Sequence, residues 1–101
     1  MTVYINATPH SITVNDVTYA KTEYLARVKS SYTAIIDGEC KVEYGEVEGL
    51  PAPQQGVKFI VSAMVLDNSN RADLVAPATG HPNTIRNEKG HIISVPCFVT
   101  K

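Results

Sequence analysis

The chain has few of the residues that usually mark a catalytic or metal-binding protein. It contains two cysteines, Cys40 and Cys97, and they lack the paired Cys/His spacing of a zinc site. None of its three histidines, His10, His81 and His91, is followed closely by a second ligand. A resident metal is therefore not expected, and both cysteines are predicted to be reduced thiols in the core.

No segment around the potential nucleophiles resembles a catalytic motif. Glycine-flanked elbows are missing around Ser62, Ser94 and both cysteines, so a serine or cysteine hydrolase is disfavoured. The segment 45–56 has the glycines of a phosphate loop but lacks its lysine followed by serine or threonine, and its two prolines stiffen it. We therefore interpret it as a rigid crossover between strands and expect no enzymatic activity, catalytic residue or cofactor.

The charges are nearly balanced and are not clustered. The sequence has nine lysines and arginines and ten aspartates and glutamates, and it contains no run of about five or more like charges. A partner with dense negative charge, such as duplex nucleic acid or an anionic membrane, is therefore not indicated. The N-terminus has no signal-peptide pattern, and no apolar run approaches membrane-spanning length, so we expect a cytoplasmic protein.

The length suits a single domain, residues 1–101, which can bury one modest core. Short β-branched and aromatic runs separated by turn residues dominate the pattern. They predict a mainly β (β-rich α+β) fold, a small antiparallel sheet or a partly open barrel with one short helix.

In the first half of the chain, residues 3–5 and 12–14 are predicted as strands. The pair at 15–16 tolerates the left-handed conformation and predicts a tight hairpin. From residue 24 to 29, apolar and basic positions alternate with period two, which is typical of a strand with one face in the core. Gly45 is a candidate β-bulge.

In the second half, residues 57–62 form the most hydrophobic extended run and are predicted as the central strand. Ser62 is expected to cap a short helix that follows. Residues 71–77, which end in proline, are expected to form an edge strand. A C-terminal hairpin is predicted around the turn 87–90, with its second strand reaching about residue 99.

Four polar residues lie beside predicted loops or strand ends, where binding residues often occur. Arg71 and Arg86 are suited to grip a phosphate or carboxylate, with Thr8 and His10 as neutral donors. Structural roles are also open, since Arg71 can pair with Asp73 on one strand face and Thr8 can cap a turn.

Several segments together resemble a widespread family of small phage and prophage proteins. The resemblance rests on residues 6–12, 45–57, 60–62, 71–74 and 86–90, and it covers nearly the whole chain. More loosely, the chain is similar to the anti-CBASS and anti-Thoeris sponge proteins, which sequester cyclic nucleotides or related signals without chemistry.

This resemblance implies a phage-encoded binding protein that acts in the host cytoplasm against anti-phage defence. The implied mechanism is a homo-oligomer that encloses an anionic ligand, with arginines on phosphates, hydroxyls on ribose and an aromatic or apolar side chain under each base. The implied ligand-binding residues are Tyr4, Thr8, His10, Ser62, Arg71 and Arg86.

Two other functions remain open at this point. A phage accessory or structural protein acting through protein contacts would show a hydrophobic contact patch. A small nucleotide hydrolase would use His10 or His81 as a general base and would turn its ligand over.

Overall fold

The computed structural model describes residues 2–101, and strands dominate it. In chain order its elements are β1 (Val3–Asn6), β2 (Ile12–Val14), β3 (Val17–Tyr19), β4 (Arg27–Tyr32), β5 (Val42–Glu48), β6 (Val57–Ile60), α1 (Ala63–Asp67), β7 (Leu74–Pro77), β8 (Ile85–Arg86), β9 (Ile92–Ser94) and β10 (Phe98–Val99). The predicted β-rich class with one short helix is confirmed, and the strands form several small sheets with no closed barrel among the described residues.

A four-stranded sheet in the order β1-β6-β7-β10 forms the centre of the molecule. β1 and β6 run parallel, as do β6 and β7, whereas β10 runs antiparallel to β7. This sheet is therefore mixed, not purely antiparallel as expected. The reason is the long crossover between β1 and β6, which returns the chain to the same end of the sheet before the next strand begins.

Side chains on both faces of this sheet are buried. On one face, Phe59 and Leu74 occupy paired positions and pack in a core cluster with Val65 and Leu66 of the helix region. On the other face, the paired Ile60 and Val75 are also buried. The run that was predicted as the central strand is thus central, because its hydrophobic residues face both layers.

The remaining strands form three antiparallel hairpins, β2-β3, β4-β5 and β8-β9. Asn15 turns the first with a φ of 53°, as its tolerance of the left-handed conformation indicated. Gly90 turns the last with a φ of 82° and donates its backbone N–H to the Asn87 carbonyl. Both predicted hairpins are confirmed.

The β4-β5 hairpin, here called the arm, carries the predicted bulge. Val28 pairs with Val47 and Ser30 with Tyr44, so the single residue Lys29 faces two residues of β5. Gly45 is one of those two, and a Cβ built on it would lie 3.6 Å from the Lys29 Cβ. The bulge is therefore in β5, as the glycine suggested.

Other expectations near the chain's end are wrong in part. β7 is not an edge strand, because it lies between β6 and β10. Pro77 is its last residue, and the pairing continues past it where the Ala78 N–H donates to the Cys97 carbonyl. The final strand does not run unbroken to residue 99, since it divides around Pro96 into β9 and β10.

Both cysteines are free, as predicted, but neither is in the core. Cys40 lies in the loop at the tip of the arm and Cys97 just before β10, and both are exposed. Their β-forming neighbours had suggested buried strand positions. These neighbours lie in short strands of which one face is open, so strand chemistry alone did not imply burial.

The loop between β5 and β6 is held closely against the rest of the molecule. Gly49 has a φ of 92°, and a Cβ on it would lie 2.0 Å from the Leu25 carbonyl oxygen. At the loop's end the Val3 N–H donates to the Gly56 carbonyl. The connection between the strands is thus residues 49–56, shorter than the predicted crossover 45–56, because residues 45–48 belong to β5. Its contacts determine where β6 enters the sheet.

Candidate functional site

The turn after β1 is built by a compact polar network. Asn6, which is buried, donates from Nδ2 to the carbonyls of His10 and Tyr19 at 2.8 and 2.9 Å. Its Oδ1 accepts from the Thr8 N–H at 2.9 Å and lies 2.6 Å from Thr8 Oγ1. Thr8 Oγ1 is also 2.8 Å from the His10 carbonyl oxygen. Thr8 is therefore a turn-forming residue, whereas the His10 side chain is left at the surface.

The parallel strands bring three chain segments to one edge of the sheet. Because β1, β6 and β7 share a direction, Thr8, Ser62 and Thr79 all follow the carboxyl ends of neighbouring strands. Ligands of open parallel sheets commonly bind at this edge. We call it the carboxyl edge.

A groove with a volume of about 190 Å³ lies at the carboxyl edge. It is lined by Ser11, Ile12, Thr13, Pro77, Thr79, Ile92, Ile93 and Val95. Its lining combines mostly apolar residues with Ser11 and Thr79, whereas the hydroxyl of Thr13 is paired with that of Thr18 at 2.9 Å. A mainly apolar lining with a few polar groups is usual for a small-molecule site. This volume is below the roughly 300 Å³ at which ordinary ligand pockets begin, so the groove of one chain encloses only part of a nucleotide-sized ligand.

Arg86 lies beside this groove, and His10 is next in sequence to one of its lining residues. Arg86 pairs with Ile92 in the β8-β9 hairpin, and its Nη2 is 3.5 Å from the Thr79 carbonyl oxygen. Its Nη1 donates to the Gly90 carbonyl at 2.9 Å, which holds the exposed guanidinium along the hairpin. His10 immediately precedes Ser11 of the lining. The structure thus places one predicted arginine next to the groove, through its contacts with Thr79 and Ile92, and neither this arginine nor His10 is among the lining residues.

Arg71 lies at the opposite, amino-terminal edge of the sheet. It donates from Nε and Nη2 to both carboxylate oxygens of Asp73 at 2.9 and 2.7 Å, and from Nη1 to the Pro51 carbonyl at 3.0 Å. The guanidinium carbon is 5.7 Å from the centre of the Phe59 ring. These contacts fasten the β5-β6 loop to β7 and to the core.

The same pair sets the ionisation of Asp73. The hydrogen bonds from Arg71 lower the pKa of the Asp73 carboxyl below its usual value, against the opposing effect of burial, and the Arg71 charge adds to the lowering. Both side chains are mostly buried, at 25% and 14% exposed. The predicted pairing of Arg71 with Asp73 is thus confirmed, but both residues precede β7 and do not lie on a strand face. The pair has a structural role.

Tyr4 belongs to an aromatic cluster on the central sheet. Its ring stacks on Phe98 with centroids 4.7 Å apart and meets Tyr19 edge to face at 5.9 Å. Ser62 caps α1, where its Oγ accepts from the Val65 N–H at 3.3 Å. Both residues have packing or capping contacts, and neither lines the groove.

The groove residues that sequence reasoning missed are its hydroxyls and its isoleucines. Ser11 directly precedes the predicted strand 12–14 and Thr79 follows the predicted strand 71–77 by two residues, and these positions at strand ends were the available signal. Ile92 and Ile93 offered none, because an apolar pair in a strand normally indicates core. Within residues 2–101 there is no group of three or more potential metal ligands and no helix long and apolar enough to cross a membrane.

Comparison with known proteins adds no identity to this geometry. No family model matches the chain, and no curated protein and no solved structure is significantly similar to it.

Proposed function

We propose that this chain is a non-enzymatic binding protein that sequesters a small anionic ligand, a cyclic nucleotide or a related signalling molecule, at the carboxyl edge. The observation that carries the proposal is the groove itself, in which apolar side chains and hydroxyls lie next to an exposed arginine. A base fits the apolar floor, hydroxyls bind ribose, and the guanidinium pairs with phosphate. The resemblance to phage proteins supports a role against host defence.

Of the sequence-predicted site residues, Arg86 and His10 are the ones that this proposal uses directly. Thr8 shapes the turn that carries His10, and Ser62 lies at the same edge. A ligand role for Arg71 or Tyr4 stays a prediction, and for Arg71 it would require a site at the other edge of the sheet. The proposed protein is a homo-oligomer, because the groove of one chain is small and open.

The direct test incubates the purified protein with a panel of cyclic nucleotides, removes the unbound ligand and heats the protein to release what it held. Intact ligand in the released fraction supports sequestration, and altered ligand supports the hydrolase instead. If no member of the panel shifts the thermal unfolding midpoint, both ligand-based functions are contradicted.

The residue test compares three arginine variants by calorimetry with whichever nucleotide the panel identifies. Arg86→Ala is expected to weaken binding by about 1.5–3 kcal/mol, which is roughly ten- to a hundred-fold in Kd. Arg27→Ala is the matched control, since Arg27 is exposed on the arm away from the groove residues. Equal affinity of Arg86→Ala and wild type would contradict the groove, and a loss only in Arg71→Ala would move the site to the amino-terminal edge.

The second candidate, a phage accessory protein acting through protein contacts, is favoured by one observation. Large apolar side chains of the arm, including Tyr32 and Ile36, are exposed. That function predicts no nucleotide in the heat-release experiment and a stable complex with a protein partner.

A further inference from the structure

The arm is an amphipathic hairpin whose apolar face is covered at the base and bare towards the tip. Paired residues of antiparallel strands share a face, so Val28 and Val47 lie on the same side, and both pack against the core cluster. Further out on this side lie Tyr32, Tyr44 and Val42, which are exposed, with Ser30 paired to Tyr44 among them. The same apolar stripe thus continues beyond the part of the molecule that covers it.

The opposite face of the arm is polar along its length. Arg27 pairs with Glu48 and Ser31 with Glu43 on that side. Lys29 Nζ lies 3.8 Å from a Glu48 carboxylate oxygen, with both side chains more than half exposed. A polar and charged face of this kind is stable when it is exposed to solvent. Only the apolar face is therefore a candidate for contact with another surface.

The bare surface is large for a chain of this size. Tyr32 is 72% exposed and Tyr44 46%, while Ile35 and Ile36 near the tip are 76% and 71% exposed. With Val42, these side chains leave on the order of 600 Å² open, to judge from the area that large side chains bury. A standard interface buries about 800 Å² on each partner, so these side chains supply most of the area that such an interface needs.

We infer that the apolar face of the arm binds the same face of a second copy of this chain. The charge of the chain permits a like partner, because a formal net charge of −1 gives little repulsion between copies. A two-fold pairing also places tyrosines against tyrosines, the self-complementary arrangement that isologous dimers need. The acidic residues Asp37 and Glu39 at the tip disfavour an anionic lipid surface as the occupant.

This inference rests on the homo-oligomer in the proposed function and names the surface that forms it. Light scattering after size exclusion is expected to give a mass near twice the chain's 11.0 kDa in the micromolar range. The double variant Tyr32→Lys with Tyr44→Lys is expected to elute as a monomer at the same concentrations. Its thermal unfolding and circular dichroism in dilute solution verify the fold.

The control is Ser31→Lys with Glu43→Gln, which changes the charge by the same amount at neighbouring positions on the polar face. It is expected to remain a dimer. A monomeric wild type, a tyrosine variant that stays dimeric, or binding of the wild type to phosphatidylcholine or phosphatidylserine vesicles in place of dimer formation would each overturn the inference. Mass and nucleotide release are separate measurements, so failure of the dimer and failure of the ligand are distinguishable.

Discussion

At the scale of single residues, the β5-β6 loop depends on one glycine. Gly49 combines a left-handed backbone with a Leu25 carbonyl oxygen where a Cβ would be. Either condition alone favours glycine, and together they leave no room for another residue.

Gly49→Ala is therefore expected to lower the free energy of unfolding by about 2 kcal/mol or more, measured by urea denaturation. Gly38→Ala is the matched control, because Gly38 also has a positive φ, of 81°, but has nothing within 4 Å of the added carbon. We expect that variant to lose only about 1 kcal/mol. Similar losses in the two variants would show that the contact with Leu25 is not restrictive.

The Arg71–Asp73 pair makes stability depend on pH in a defined window. The pKa of Asp73 is lowered in the folded state, so its stabilisation is complete above the unfolded pKa and is lost as the pH falls through the folded value. Asp73→Asn is expected to lose about 1–3 kcal/mol at neutral pH because Arg71 then lacks its carboxylate. The difference between wild type and variant is expected to shrink below about pH 4.

Urea titrations at several pH values measure this difference. Glu48→Gln is the control, since its pair with Lys29 is long and exposed, and we expect a change within about 0.5 kcal/mol. An Asp73→Asn difference that stays constant on acidification would contradict the assigned role of the pair.

At the scale of elements, the short helix depends on its cap. α1 has five residues, so its propensity alone does not stabilise it, and the packing of Val65 and Leu66 accounts for most of its stability. The sequence predicted both the helix and the Ser62 cap because the apolar run loses its β-branched character there.

Ser62→Ala is expected to lower the free energy of unfolding by about 0.5–1 kcal/mol, and Ser62→Asp to retain most of the wild-type value. Guanidinium denaturation measures both variants. Because Ser62 does not line the groove, nucleotide affinity is expected to stay unchanged in Ser62→Ala. A selective loss of affinity with normal stability would instead make Ser62 a ligand contact.

The hairpins were predictable and the central sheet only in part, for a physical reason. Turns such as Asn15-Asp16 and Asn87–Gly90 are specified by residues adjacent in sequence, and the strands that they connect lie directly on either side. The parallel pairing of β1 with β6 joins residues far apart in sequence, and no local pattern specifies it. The carboxyl edge exists only because of that pairing. Since the pairing is not predictable from local pattern, Thr79 and the isoleucines of the groove were not predicted as site residues.

At the scale of the whole molecule, the chain is more extended than its length requires. Its Cα radius of gyration is 15.6 Å, compared with about 13 Å for a compact chain of this size. The arm, with its exposed apolar tip, is consistent with that extension. The sequence pattern of the exposed tyrosines and isoleucines is that of ordinary strand residues. A hydrophobic pattern does not distinguish a face that is buried in the chain's own core from one that is exposed.

The parallel pairing of β1 with β6 has a consequence for the time course of folding. β1 is synthesised well before its hydrogen-bonding partner β6, which begins at Val57. The local hairpins close in microseconds, whereas the central sheet has to bring together ends separated by about half the chain. During synthesis, β1 therefore remains unpaired until more than fifty further residues have been added. The arm is synthesised completely before β6 and β7, which supply the core that supports its base.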